Sequence, residues 1–190
     1  MTAPAMLSRP LKAKLTIEDF VTLDRSGAFD SYSKTELING VIYVVNAQYS
    51  AHMKAKVRLL RRLADACDNL GSGLEAWSEG SVELKPLSMP EPDILVTRET
   101  PGEGTVRGET VALIVEVSDT TLKFDLGKKA MLYASQGVPE YWVADLVAQR
   151  IVRMWAPEGE GYARRDEWAF GARVESATIA GLGVETAGLK

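Results

Sequence analysis

The chain has 190 residues, 46% hydrophobic and 25% charged, the composition of a globular protein with a real core rather than of a disordered or fibrous one. Its 22 Lys and Arg against 26 Asp and Glu leave a net charge of −4, which disfavours a strongly basic nucleic-acid binder. One cysteine, Cys67, excludes an internal disulfide, and with one histidine, His52, the chain falls short of the soft ligands that a zinc site takes.

The length suits one compact domain over residues 1–190, with 1–14 as an N-terminal tail. No apolar run reaches the eighteen or so residues that span a bilayer, and the start lacks a signal-peptide core, so a cytoplasmic, membrane-free location is expected. Charge is uneven. Residues 1–70 carry 10 basic against 7 acidic side chains, and residues 71–190 carry 12 against 19.

Thr16 to Leu23 reads as a short helix, with Thr16 as N-cap and Glu18 and Asp19 in its first turn. A hairpin follows, Glu36–Ile38 and Val41–Val45 around Asn39-Gly40, a pair suited to the two positive φ angles of a type I′ turn. From His52 to about Asn69 the spacing is helical. Met53, Val57, Leu60, Ala64 and Cys67 form an apolar stripe, and Gly71 and Gly73 end the helix. Short strands are expected at Leu74–Trp77, Ser81–Leu84 and Ile94–Val96. A Gly- and charge-rich loop over 98–109 leads into Val111–Val117, apolar enough to be a strand covered on both faces. Leu122, Leu126, Ala130 and Tyr133 mark a second helix, stopping at Gly137. Tyr141–Ala144, Arg150–Trp155 and Tyr162–Trp168 read as closing strands. This order predicts an α/β (α+β) fold with a mixed sheet flanked by helices.

Glu116 is the oddity. A carboxylate inside a buried strand is costly unless paired, protonated or bound to a metal. Asp93, on the same side as Leu95, would meet it at one end of the sheet if the two strands are neighbours. Two carboxylates with the Val117 backbone carbonyl are a minimal oxygen set for Mg²⁺ or Mn²⁺. Asp125, Lys129 and Tyr133 fall at i, i+4 and i+8, so an ammonium would approach the same carboxylates. A salt-bridged structural Glu and an ordinary helical ion pair give the same pattern. Lys54, Arg58 and Arg61 would track a phosphate backbone, or simply form a solvated face. His52 fits a phosphate or metal contact, or a helix-capping residue. Arg164-Arg165 with Tyr162 and Trp168 fits nucleic acid or plain strand alternation, and Tyr141 and Trp142 fit core or dimer contacts. Gly102-Glu103-Gly104 is too acidic to cradle phosphate.

These residues carry a resemblance. Pro92-Asp93, then Glu116-Val117-Ser118 about twenty residues on, resembles the PD-(D/E)XK nuclease pattern, with Ser118 where that pattern has Lys. The run Val115–Thr121, then Asp125-x-x-x-Lys129-x-x-x-Tyr133 and Gly137-Val138-Pro139-Glu140-Tyr141-Trp142, resembles the Uma family of restriction endonucleases. So do the hairpin with Glu36 and the Glu91-Pro92-Asp93 run. The resemblance covers roughly Thr16 to Tyr162. It implies a restriction-endonuclease-like core with Asp93 and Glu116 as ligands of Mg²⁺ or Mn²⁺, and with Lys129 replacing the missing strand lysine. It also implies Glu36 as an added acidic group at a second metal position, DNA as partner, and a homodimer. The expected function is therefore metal-dependent phosphodiester hydrolysis. A binding or scaffold protein on the same fold, without turnover, is the alternative.

Overall fold

A computed structural model describes residues 12–45, 50–99 and 104–189. Most of the expected N-terminal tail (1–11) and two residues of the Gly102-Glu103-Gly104 loop lie outside them. Helix α1 (Ile17–Arg25) opens on a capping box, in which the Thr16 hydroxyl accepts from the Asp19 N–H and the Asp19 carboxylate accepts from the Thr16 N–H. Strands β1 (Lys34–Ile38) and β2 (Val41–Val45) form the expected hairpin. Asn39 and Gly40 take φ of 51° and 77°, as a type I′ turn requires. A side chain at Gly40 would meet Lys14 Cβ at 2.6 Å, because the Leu15 N–H donates to the Gly40 carbonyl.

Helix α2 (Ser50–Leu70) is followed by β3 (Glu75–Ser78), β4 (Val82–Glu83), β5 (Ile94–Thr97), β6 (Val106–Arg107) and β7 (Val111–Ser118). Residues 122–135 form helix α3 in three pieces: an α-helical start Leu122–Phe124, a π-helical segment Asp125–Lys129 and an α-helical end Ala130–Ser135. Strands β8 (Glu140–Asp145), β9 (Arg150–Glu158) and β10 (Gly161–Ala169) follow, and β11 (Arg173–Glu175) pairs with β12 (Gly183–Glu185). The main sheet has the order β10-β9-β8-β7-β5-β3. Only β7 and β8 are parallel, joined across α3, so the sheet is mixed, as the element order predicts.

Every residue of β7 is buried. Leu113, Val115 and Val117 pack with Ala55, Leu59, Leu63 and Cys67 of α2, while Ile114 packs with Ala130, Leu132 and Tyr133 of α3. Strand alternation therefore gives each sheet face its own helix, and Glu116 falls in phase with Ile114, on the α3 side. Tyr141 and Trp142 are fully buried, which makes them core residues rather than dimer contacts.

Helix α2 is rotated relative to the expected stripe. Its buried positions are His52, Ala55, Lys56, Leu59, Leu63 and Cys67, while Met53 and Val57 are 53% and 44% exposed. The physical reason is that Ala55, Leu59, Leu63 and Cys67 form an apolar stripe of their own at i, i+4 spacing, and His52 and Lys56, at its N-terminal end, find a partner in Asp93.

The segment after β10 is tied down by a buried acid. The Glu140 carboxylate accepts from Trp142 Nε1 (2.6 Å), Ser176 Oγ (2.6 Å), the N–H groups of Ala177 and Thr178 (3.0 Å) and Thr178 Oγ1 (2.8 Å). Glu140→Gln turns an amide N–H₂ towards donors and should cost on the order of 2–3 kcal/mol of unfolding free energy in urea titrations. A loss below about 0.5 kcal/mol, the range of ordinary surface changes, would refute this account of the segment.

Candidate active site

Glu116 is 4% exposed in a strand that is otherwise mostly apolar. Its Oε1 accepts from Lys129 Nζ at 2.8 Å and from Tyr133 Oη at 3.0 Å. These two donors sit one turn apart on α3, so a single helix face presents both. Lys129 Nζ also donates to Glu36 Oε1 at 3.1 Å, and the same oxygen accepts the Glu91 N–H at 2.9 Å. Burial pushes the Glu116 carboxyl up to about 7 despite the Lys129 charge beside it, with Asp93, Asp125 and Glu36 adding to the rise. Burial alone would lower Lys129, but Glu116, Glu36 and Asp125 outweigh it and hold the ammonium above its ordinary value. Lys129 is therefore charged while Glu116 is poised near neutrality.

Asp125 stands apart from this arrangement. Its carboxylate accepts from Thr121 Oγ1 at 2.6 Å, and its backbone carbonyl accepts from Tyr141 Oη at 3.1 Å. Burial raises its pKa, with Lys129 and Thr121 opposing. The π-helical segment from Asp125 to Lys129 is the feature that the i, i+4 spacing did not signal. Such single-turn bulges frequently occur at functional sites.

Asp93 approaches from the neighbouring strand. β5 pairs with β7 only as far as Ile94 opposite Val115, so the Val117 N–H is left to a side chain, and it donates to Asp93 Oδ2 at 2.8 Å. In an extended strand a residue's N–H and C=O leave on the same flank, so the Val117 carbonyl borders Asp93 as well. The same Oδ2 lies 3.2 Å from His52 Nε2, and Oδ1 lies 3.9 Å from Lys56 Nζ, which also pairs with Glu79 at 2.7 Å. Burial raises the Asp93 carboxyl, but the His52 hydrogen bond and charge, with the Val117 N–H, bring it below its ordinary value. Asp93 and Glu116 each have cationic or donor partners of their own: α2 serves the first and α3 the second.

Among the described residues no group of three or more His, Cys, Asp and Glu is gathered to hold a metal ion. Among the described residues Glu36 Oε2 is buried without a hydrogen-bond partner, and Glu116 Oε2 receives no hydrogen bond. The open oxygen of Glu116, with Asp93 close enough to raise the Glu116 pKa, matches Mg²⁺ or Mn²⁺, which keeps several waters and needs only one or two carboxylates.

The basic face of α2 is partly committed elsewhere. Arg58 donates to the Gly188 carbonyl, and Arg62 Nη2 to the Ala187 carbonyl at 2.8 Å. Lys54 and Arg61 are exposed. Arg164 and Arg165 are exposed on β10, where Arg165 pairs with Glu167 and Trp168 lies beside Arg153.

The profile of the family described as Uma2, putative restriction endonuclease, matches residues 17–187. The chain is similar in fold to the crystal structure of a putative nuclease belonging to DUF820 from Anabaena variabilis. Sequence identity to it is 15%, the TM-score is 0.64, and the likeness covers 85% of this chain and 89% of that one. No curated protein matches.

Removing the central cation tests the electrostatic account. Lys129→Ala leaves Glu36 and Glu116 buried without it and should cost about 3–5 kcal/mol at pH 8. A carboxyl with a raised folded-state pKa binds its proton more tightly when folded, so it favours folding at acid pH, and that advantage fades as pH rises from 4.5 to about 7. The variant should therefore recover part of its loss at pH 5. Equal losses at both pH values in urea denaturation would contradict the assignment.

Proposed function

Because the chain belongs to the Uma2 family of putative restriction endonucleases, we propose that it is a Mg²⁺- or Mn²⁺-dependent endonuclease that hydrolyses phosphodiester bonds in DNA. The observation that carries this reading is the convergence of Glu116, Lys129 and Tyr133 beside Asp93 at the adjoining ends of β5 and β7. Asp93 and Glu116 are the ligands, with the Val117 carbonyl beside them. When bound, the ion neutralises phosphate charge and acidifies the attacking water.

The protein's own groups do the rest. Tyr133 holds Glu116 Oε1, leaving Oε2 for the ion. Lys129 keeps a fixed positive charge next to the ligands, where it offsets negative charge growing on the phosphoryl oxygens. Glu36 anchors Lys129 through Oε1 and offers Oε2 as the donor for a second ion. Asp125 adds to the field around Lys129 and holds the start of α3 through Thr121. Lys54 and Arg61 are left to meet a phosphate backbone; Arg58, tied to Gly188, is a weaker candidate.

One observation favours a second reading, nucleic-acid binding without turnover, by a homodimer of this chain. Lys129 Nζ occupies Glu116 Oε1, one of the two oxygens that a metal would use. Metal titration separates the two.

Purified protein should nick plasmid DNA with Mn²⁺ or Mg²⁺, and Glu116→Ala and Lys129→Ala should each reduce the rate at least ~100-fold, the scale of losing one preorganised charge. Equal cleavage by all three proteins, or by none, would sink the mechanism. Divalent ions should raise the melting temperature of the unsubstituted protein but not of Glu116→Ala. Metal affinity should fall as pH drops below about 7, because the ion must displace a proton from Glu116.

A further inference from the structure

We propose that His52 is a positioning residue of this site: from the first turn of α2 it fixes the Asp93 carboxylate that would hold the metal, an inference that rests on the metal-dependent reading above. His52 Nε2 lies 3.2 Å from Asp93 Oδ2, and the Val117 N–H reaches the same oxygen at 2.8 Å. The two donors come from α2 and β7, so the carboxylate is gripped from two directions and its plane is set. An ionised carboxylate only accepts, so the shared proton belongs to Nε2 of the imidazole.

Helix α2 carries Met53 and Val57 in its first turns, yet it does not turn them inward. Instead they are 53% and 44% exposed, and the buried positions of the first turns hold His52 at 9% and Lys56 at 8%. Both of those side chains lie against Asp93. Ala55, Leu59 and Leu63 anchor this face further along, but an imidazole and an ammonium buried at its start break the local rule of apolar burial, and such departures are expected at functional sites. Among the described residues His52 Nδ1 is also buried with no hydrogen-bond partner, whereas an imidazole that serves only the fold usually has both nitrogens satisfied. The side chain is oriented by what Nε2 holds. Hydrogen-bonding partners that orient metal ligands contribute about 10–100-fold to metal affinity, which sets the size of the effect expected here.

The test is calorimetric titration with Mn²⁺ alone, without DNA, on the full chain. His52→Phe keeps a ring in the space and removes the donor; it should weaken Mn²⁺ binding by about 10–100-fold. His52→Gln, whose amide N–H₂ can still donate to Asp93, should recover part of that loss. Met53→Ala, on the exposed face of the same turn, should bind as the unsubstituted protein does. Unchanged affinity in His52→Phe would overturn the proposal, as would loss of the folded state in both His52 variants, which would assign the residue to the fold. If the unsubstituted protein binds no Mn²⁺, the metal-dependent reading fails and takes this inference with it. Binding by the parent with no difference between the variants overturns the His52 assignment alone.

Discussion

One ammonium organises the centre of this molecule. Lys129 Nζ joins Glu36 of the first hairpin to Glu116 of the central strand, and both carboxylates are almost fully buried. Two buried acids sharing a space would each disfavour ionisation of the other. With the lysine between them, the hairpin, β7 and α3 are held to one geometry. A mutually paired group of this kind contributes little net stability over an apolar core but strongly penalises loss of any member. That asymmetry suits a site better than a scaffold: the arrangement is unforgiving where chemistry needs it so, while stability comes from the two apolar layers on either face of the sheet.

Each layer supplies one acid's partners. α2 lies across β3, β5 and β7 and brings His52 and Lys56 to Asp93; α3 lies across the other face and brings Lys129 and Tyr133 to Glu116. The sheet between them does the aligning, because β5 stops short and lets the Val117 N–H turn to a carboxylate instead of a strand neighbour. Secondary structure and site are thus made from the same interruption. A β5 longer by two paired residues would bring Pro92 opposite Val117, satisfy the Val117 N–H within the ladder and remove the reason for Asp93 to sit there.

Much of this was legible in the chain. Asn39-Gly40 fixes the hairpin through its positive φ angles, and the seven apolar-rich residues from Val111 identify the covered central strand. The parity of Glu116 with Ile114 then gives the face on which it lies. What escaped was whatever depends on partners distant in sequence. α2 offers two apolar stripes that share Cys67, and the one through Met53 and Val57 faces solvent; the stripe through Ala55, Leu59 and Leu63 is buried, with His52 and Lys56 drawn in beside Asp93. Periodicity gave no sign of the π-helical segment, whose Asp125 carbonyl is held by Tyr141 from the next strand. β11 and β12 were missed altogether, since their three-residue strands carry little alternation and are held by Glu140, Arg58 and Arg62 from elsewhere.

Those last attachments bear on how the molecule is made. Glu140 waits 36 residues for Ser176, and Arg62 waits 125 for Ala187. As the chain leaves the ribosome, the elements of the site emerge well before the segment that satisfies Glu140 and covers α2. In the interval a carboxylate destined for full burial has only Trp142 as a donor, so β8 has reason to stay hydrated and the sheet to stay loose. Closure of non-local pairings is the slow part of folding. Residues 176–188 therefore act as a latch on assembly: the sheet and α2 reach their final packing only once this segment has docked.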